Sequence, residues 1–197
     1  MLIAFSIIKL IITILELFNN CKTHNSLFKK LAKIMTKNIK IALGIGGNIG
    51  NVEENIHLAC ELLQKNGLEN LVLSKLIETE PVGCPEGTAN FLNGAITGFW
   101  CDSLFNLFEL CKTIEEKLGR PRVHDRWVSR TIDLDILLFG DDFCSIITKK
   151  GDEIIIPHVE LCNRLFVLEP LAEIAGDWIL PQKNISVRKY LENILKN

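Results

Sequence analysis

The chain has 197 residues, of which 48% are hydrophobic and 23% are charged, and its formal net charge is −2. This composition is typical of an ordinary globular protein with one domain, with or without an extension. The acidic balance gives no support to a nucleic-acid-binding protein, because such proteins present an excess of Lys and Arg to the phosphate backbone.

Residues 1–34 differ in character from the rest of the chain. Met1–Phe18 is strongly apolar, but two charged residues interrupt it, and a transmembrane helix needs about 20 consecutive apolar residues. The segment also lacks the basic start and small-residue cleavage site of a secretory signal. A membrane-surface helix, a leader of unknown use and translated sequence upstream of the true start all remain open. Because a globular pattern begins at Met35, we expect an N-terminal extension at residues 1–34 and the functional domain at residues 35–197.

Apolar runs and helical patterns alternate through this domain. Strands are predicted at Lys40–Ile45, Leu71–Glu78, Phe91–Trp100 and Thr131–Phe139, and helices at Val52–Lys65 and from Asp102 or Ser103 to Leu118. The order β-α-β-β-α-β predicts an α+β sandwich of the ferredoxin-like type, a sheet with two helices on one face. C-terminal additions follow, namely a hairpin near Cys144–Ile156, a segment near Asn163–Ile174 and a last helix near Val187–Leu195.

Two of the predicted loops are candidates for ligand binding. Gly44–Gly50 fits neither a Walker A loop nor a dinucleotide fingerprint, so a tight strand-to-helix turn and a ligand-contacting loop both remain open. Glu80–Asn90 is long and rich in Pro and Gly, and long irregular loops in compact domains are often functional.

The run Arg120–Phe139 carries the strongest chemical signal. It holds four of the six arginines in the chain, namely Arg120, Arg122, Arg126 and Arg130. Arginine binds phosphate oxygens through bidentate hydrogen bonds. Clustered arginines in an acidic protein therefore indicate a local site for a small anion.

Two aspartates follow in the same run. A strand places every second side chain on one face, so Asp133 and Asp135 should point the same way. The alternating apolar side chains should point into a core; these are Ile132, Leu134, Ile136 and Leu138. Two adjacent like charges need a cation, and Mg²⁺ accepts one or two carboxylates and completes its shell with water and phosphate oxygens. The run therefore predicts an Mg²⁺–polyphosphate site.

The chain contains seven cysteines, none in a C-x-x-C pair or at zinc-finger spacing from a histidine. We expect reduced and mostly buried thiols in a cytosolic protein, without a structural zinc ion.

Four segments, in order, carry a specific resemblance to a known family. They are Ala42–Asn48, Glu78–Asn93, Gly119–Gly140 and Pro157–Phe166. The chain resembles the 6-hydroxymethyl-7,8-dihydropterin pyrophosphokinase family of folate biosynthesis over about Ile39–Asn197. The resemblance implies a ferredoxin-like fold and transfer of pyrophosphate from ATP to the pterin hydroxymethyl group, with release of AMP. It also implies a cytoplasmic enzyme with ATP and the pterin alcohol as small-molecule partners. No nucleic acid, no membrane for the domain and no protein partner are expected.

The resemblance assigns roles to individual residues. Two Mg²⁺ ions are expected on Asp133 and Asp135, and the catalytic loop arginines are expected to be Arg120 and Arg130. The residues implied near the nucleotide are Glu115, Arg122, Trp127, Ile136, His158 and Arg164. The residues implied around the pterin are Thr79, Val82, Phe91, Asn93 and Phe166, with the ring stacked between the two phenylalanines.

Three positions depart from the family pattern. Glu80 stands where a proline is common, Phe91 where tyrosine is frequent and Val159 where an aromatic residue is often found. We expect ring stacking at Phe91 to survive without a hydroxyl contact. None of these departures touches the aspartates or the arginines.

Two alternatives compete with this interpretation. A small RNA-binding module has the same strand order, but it needs exposed aromatic side chains on the central strands and a basic face. An inactive family member that serves as a scaffold is disfavoured by the intact aspartates and arginines.

Overall fold

A computed structural model of the chain describes residues 38–122, 128–148 and 151–196. The predicted boundary at Met35 lies outside these residues and stays a prediction. The strands in the described part are β1 (Ile39–Gly47), β2 (Glu69–Leu73), β3 (Ile77–Thr79), β4 (Phe91–Trp100), β5 (Asp133–Phe139), β6 (Cys144–Ile147), β7 (Glu153–Ile156), β8 (Ile179–Leu180) and β9 (Ile185–Ser186). The helices are α1 (Val52–Lys65), α2 (Leu104–Lys117), α3 (Leu165–Ala175) and α4 (Val187–Ile194).

The central sheet is antiparallel, with the strand order β2-β4-β1-β5, and β3 also pairs with β4. The predicted strand at Leu71–Glu78 is split into β2 and β3 because Ser74 interrupts the ladder. Its backbone N–H donates to the carbonyl of Ala95, while its hydroxyl oxygen accepts from the Ala95 N–H, each at 2.9 Å. A side chain thus takes the place of a backbone carbonyl, and regular pairing stops there.

Helices α1 and α2 cover one face of the sheet and bury the β1 side chains Ile41, Leu43 and Ile45. Both helices begin at the residues that the sequence predicts, because each has a side-chain cap. Asn51 accepts from the N–H of Glu54 at 3.3 Å, and Ser103 accepts from the N–H of Asn106 at 3.2 Å.

The C-terminal additions cover the opposite face. Side chains of α3 and α4 pack there against Ala42 of β1 and Ala95 of β4. The predicted hairpin near Cys144–Ile156 is formed by β6 and β7. No helix among the described residues combines the length and apolar character needed to cross a membrane.

A bulge in β5 changes which face its side chains occupy. Ile136 pairs with Leu43 and Leu138 pairs with Ala42, so Leu137 is an extra residue in the ladder. Leu138 is buried as predicted, but it packs on the face of α3, whereas Ile136 packs on the face of α1 and α2. Upstream of the bulge the strict alternation holds, and Asp133 and Asp135 share one face.

Candidate active site

A cavity of about 370 Å³ opens on the sheet face that carries Asp133 and Asp135. Gly44 and Gly46 of β1 form part of its lining, and they pair across the ladder with Asp135 and Asp133. Because these two positions lack side chains, the sheet leaves open space beside the carboxylates.

The two aspartates differ in their surroundings. Asp133 accepts hydrogen bonds from Nη1 of Arg120 and from Nη1 of Arg130. Burial acts to raise the pKa of Asp133, but these guanidinium groups outweigh burial and hold the pKa below its usual value. Asp135 accepts no hydrogen bond within the described part of the chain. Burial raises its pKa, and the neighbouring charge on Asp133 raises it further. Among the described residues, no cation donates a hydrogen bond to Asp135, in contrast to Asp133.

Glu115 of α2 is a buried anchor behind this pair. Its side chain is 4% exposed, and its Oε1 accepts from Arg120 Nη1 and from the backbone N–H of Leu134, each at 2.8 Å. Its Oε2 accepts from Lys112 Nζ at 2.7 Å. Glu115 does not line the cavity, although it contacts Arg120 and Lys112, which do. Its expected place near the nucleotide stays a prediction.

The turn after β1 fixes the backbone of the second catalytic candidate. Asn48 Oδ1 accepts from the N–H of Arg130 at 2.8 Å, and the N–H of Asn48 donates to the carbonyl of Arg130 at 2.9 Å. The guanidinium of Arg130 then lies 5.2 Å from the ring centroid of Phe91. The Gly-rich turn therefore has a positioning role, while Gly44 and Gly46 also line the cavity.

Besides Glu115, two described residues expected near the nucleotide, Arg122 and Ile136, are not found on the cavity wall. Arg122 binds Glu109 in bidentate fashion at 3.1 and 2.7 Å and reaches Asp152 at 3.4 Å. Ile136 is buried in the core beneath α1 and α2. Trp127 lies outside the described residues.

His158 and Arg164, both expected near the nucleotide, line the cavity on the side of α3. The backbone N–H of Glu160 donates to His158 Nδ1 at 3.2 Å, so the proton of a neutral imidazole is on Nε2. Arg164 pairs with Glu160 at 3.3 Å, and its guanidinium lies 5.6 Å from the ring centroid of Phe166.

The residues expected around the pterin all line the same cavity; they are Thr79, Val82, Phe91, Asn93 and Phe166. Asn93 Nδ2 donates to Thr79 Oγ1 at 2.7 Å, which fixes the orientation of the amide. Residues from β3, β4, α3 and the Glu80–Asn90 loop thus form one end of the cavity.

Sequence reasoning missed Lys112, Cys84 and Glu160, which also line the cavity. The signal for Lys112 was its spacing, since residues three apart on a helix share a side and Glu115 was already a candidate. Cys84 lies in a loop that was expected to be functional, but a single thiol carries no pattern.

The cavity has one charged end and one aromatic end. Carboxylates and arginines at one end suit a metal-bound polyphosphate, and the phenylalanines with Asn93 suit a flat heteroaromatic ring. Fold and site together define a transferase that moves a phosphate-containing group onto a small molecule.

The family model of 7,8-dihydro-6-hydroxymethylpterin-pyrophosphokinase (HPPK) matches residues 42–176. A 2-amino-4-hydroxy-6-hydroxymethyldihydropteridine pyrophosphokinase of Bacillus subtilis is 42% identical over 133 residues, which are 67% of this chain and 75% of the relative. A folate synthesis bifunctional protein of Arabidopsis thaliana is 36% identical over 137 residues, 70% of this chain and 27% of that protein. The chain belongs to the HPPK family, and it is an ATP-dependent pyrophosphokinase of folate biosynthesis.

The fold is also similar to that of a solved structure. The crystal structure of wild-type Plasmodium falciparum HPPK-DHPS matches with a TM-score of 0.66 at 15% sequence identity. The match covers 82% of this chain and 45% of that one, so the chain spans less than half of the Plasmodium protein.

Proposed function

We propose that this chain transfers pyrophosphate from ATP to 6-hydroxymethyl-7,8-dihydropterin through the residues of the 370 Å³ cavity. The single observation that carries this proposal is that one cavity joins Asp133 and Asp135 to Phe91 and Phe166. A triphosphate at the charged end and a pterin at the aromatic end would bring the hydroxymethyl oxygen close to the phosphate chain. Proximity and alignment of the two reactants supply much of the catalysis in such reactions.

The acidic pair fits two Mg²⁺ ions delivered with ATP. Both ligands are carboxylate oxygens, which Mg²⁺ prefers, and Asp135 has no competing hydrogen bond among the described residues. No group of three or more His, Cys, Asp or Glu side chains in the described ranges could hold a metal ion on its own. Water and phosphate oxygens would therefore complete each shell. Mg²⁺ held by the two aspartates would neutralise charge on the phosphates and orient them.

Arg120 and Arg130 are the proposed catalytic residues. Attack of the hydroxymethyl oxygen on the β-phosphorus forms the new P–O bond, while the bond from the β-phosphorus to the α–β bridging oxygen breaks. AMP leaves with that bond pair, and the hydroxyl proton is lost to solvent or to a phosphate oxygen. Negative charge on the migrating group is stabilised by guanidinium groups already held in position. Glu115 and Asp133 hold Arg120, and Asn48 holds the backbone of Arg130.

The pterin would stack between Phe91 and Phe166. Asn93 and Thr79 supply hydrogen-bonding groups for the amide and amino edge of the ring, and Val82 covers it from the loop. Both phenylalanine rings lie beside an arginine, so a pterin stacked there would have its hydroxymethyl oxygen near the charged end.

The nucleotide would be bound chiefly by His158 and Arg164. His158 offers its Nε2–H to a phosphate, and Arg164 offers a guanidinium on the same wall. Arg122 would reach the phosphates after exchanging Glu109 for them, and Glu115 and Ile136 would act from beneath the site. Trp127 is proposed to cover the bound nucleotide.

We also propose a ferredoxin-like core with additions, supported by the order β2-β4-β1-β5 with α1 and α2 on one face. A cytoplasmic location is proposed from the free cysteines in the described part of the chain, since such thiols persist in reducing compartments. ATP and the pterin alcohol are the proposed small-molecule partners.

AMP release from ATP tests this function directly. We expect AMP in equimolar amount with pterin diphosphate when ATP, Mg²⁺ and the pterin alcohol are all present, and none when the alcohol or Mg²⁺ is omitted. AMP release that ignores the pterin alcohol would contradict the proposal. Binding of both ligands without any product would favour the inactive scaffold, and retention of RNA on a filter without ATP would favour the RNA-binding module.

A further inference from the structure

Lys112 is a cation of the cavity wall that no motif of the sequence indicates. It lies on α2 between the buried residue Cys111 and the anchor Glu115, and its side chain is 21% exposed. It lines the cavity together with Arg120, Asp133 and Asp135, at the charged end.

The charge of Lys112 is maintained by its neighbours. Burial acts to lower the pKa of its ammonium, but Glu115, Asp133 and Asp135 outweigh burial and hold the pKa above its usual value. Its Nζ donates to Glu115 Oε2 at 2.7 Å. An ammonium has three N–H donors, so two remain for a ligand after this bond is made.

Glu115 does not require Lys112 for its own pairing. Its other carboxylate oxygen already accepts from Arg120 and from the backbone of Leu134. Glu115 is therefore already paired with Arg120, and Lys112 is a second cation beside it that lies on the cavity wall. That arrangement suits an anion that arrives from the cavity.

The formal charges at this end of the cavity support the same inference. Three carboxylates meet three cations here; they are Glu115, Asp133, Asp135, Arg120, Arg130 and Lys112. Without Lys112 this group would carry an extra negative charge, which would oppose an incoming polyphosphate. With it, the group is neutral before the metal ions and the nucleotide arrive.

We propose that Lys112 binds the phosphate chain of ATP directly and is a further nucleotide-binding residue. The proposal rests on the proposed function of the cavity. It requires that Glu115 stays bound to Arg120 and that the Lys112 ammonium donates its two remaining N–H groups to phosphate oxygens.

Three variants test this role: Lys112→Gln, Lys112→Arg and the control Lys117→Gln. Lys117 is an exposed lysine on the same helix, so its replacement removes the same charge away from the cavity. The affinity for a non-hydrolysable ATP analogue with Mg²⁺ is measured by calorimetry, and KM for ATP and for the pterin alcohol by AMP release.

Because a hydrogen bond to a charged group is strong, we expect Lys112→Gln to weaken analogue binding and raise KM for ATP by about tenfold or more. KM for the pterin alcohol should change less than twofold. Lys112→Arg should recover most of the lost affinity, and Lys117→Gln should match the wild type. Equal analogue affinity of Lys112→Gln and the wild type would overturn the proposal. Absence of AMP release by the wild type would instead count against the proposed function, since analogue binding needs no turnover.

A second measurement keeps the test decisive if Lys112→Gln fails to fold. Surface lysines of the wild-type protein are acetylated with an amine-reactive reagent, with and without Mg²⁺ and the analogue, and peptides are quantified by mass spectrometry. Labelling of Lys112 should fall at least severalfold with the nucleotide, while labelling of Lys117 should not change. Equal labelling of Lys112 in both samples would overturn direct contact with the phosphates.

Discussion

Gly46 of β1 faces Asn93 of β4 so closely that a Cβ atom added at Gly46 would lie 2.2 Å from Asn93 Oδ1. The same Cβ would lie 2.9 Å from the backbone carbonyl oxygen of Leu92. The side chain of Asn93 could rotate away, but the backbone of Leu92 could not. The glycine therefore allows the amide of Asn93 to turn towards Thr79 at the aromatic end of the cavity.

Replacing Gly46 with Ala should disturb both folding and pterin binding. Overpacking typically lowers the free energy of unfolding by about 1–3 kcal/mol, which denaturant unfolding would measure. Rotation of Asn93 would break its bond to Thr79 Oγ1 and raise KM for the pterin alcohol more than KM for ATP. Gly44→Ala is the control for stability alone, because a Cβ at Gly44 meets Leu137 at an ordinary 3.6 Å but takes up cavity space beside Asp135. If Gly46→Ala has the stability and KM of the wild type, the close packing of Gly46 is unimportant.

The two aspartates should respond oppositely in stability and alike in activity. Asp135→Asn removes a half-buried charge that repels Asp133 and accepts no hydrogen bond from the described residues, so the free energy of unfolding without Mg²⁺ should stay constant or rise. Asp133→Asn should lower it, because Arg120 and Arg130 lose a charged partner. Turnover with Mg²⁺ and ATP should fall by at least about 100-fold in both, since metal-bound charge stabilisation is worth several kcal/mol. Asp142→Asn, at an exposed turn, is the control; turnover near the wild-type rate in Asp135→Asn would refute the metal assignment.

The two arginines proposed to be catalytic, Arg120 and Arg130, should also differ. Arg120 is 8% exposed and bound to two carboxylates, so Arg120→Ala leaves buried charges unpaired and should cost about 3–5 kcal/mol of unfolding free energy. Arg130 is 23% exposed, so Arg130→Ala should cost much less. Single-turnover measurements should show a slower transfer step in both variants, with KM for the pterin alcohol little changed. A loss of pterin affinity alone in both variants is the result that contradicts their catalytic role.

Alkaline pH should destabilise the fold in part through buried thiols. Burial raises the pKa of Cys111 to about 12, with the charge on Glu115 adding to the effect, and burial raises the pKa of Cys60 to about 11. Unfolded thiols titrate near about 8.5, so this contribution is intact below that pH and is lost as pH rises towards 11 and 12. Each buried thiol should lower the unfolding free energy by about 2 kcal/mol between pH 8 and pH 10.

Urea unfolding at pH 8 and pH 10 measures this loss in the wild type and in Cys111→Ala. The variant should lose less stability between the two pH values, whatever packing energy it has already lost at pH 8. An identical loss in both proteins would show that Cys111 does not titrate on unfolding in this range.

Local sequence patterns were sufficient for the elements whose ends are fixed by nearby residues. The start of α1 at Val52 and of α2 at Leu104 depends on Asn51 and Ser103, each of which caps an N–H three residues away. The shared face of Asp133 and Asp135 follows from the two-residue repeat of a strand. The resemblance in sequence motifs also singled out five residues expected around the pterin, and all five line one cavity.

Elements that depend on distant residues were not predictable in this way. The Ser74 hydroxyl accepts a hydrogen bond from the N–H of Ala95 and so ends regular strand pairing. Leu137 forms a bulge opposite Ala42 and Leu43. Arg122 is bound to Glu109 rather than to the cavity wall. In each case the decisive partner is many residues away, and no local pattern specifies it.

The sequence by itself determined the order of helices and strands, the acidic pair and the family, because propensities, caps and motifs are written in neighbouring residues. Only the tertiary structure decided that Glu115 is a buried anchor and that Lys112 faces the cavity. It also decided that, among the described residues, arginines pair with Asp133 and not with Asp135. These features arise where α2 packs against β5, and the charges interact there because burial brings together groups that the unfolded chain keeps apart in water.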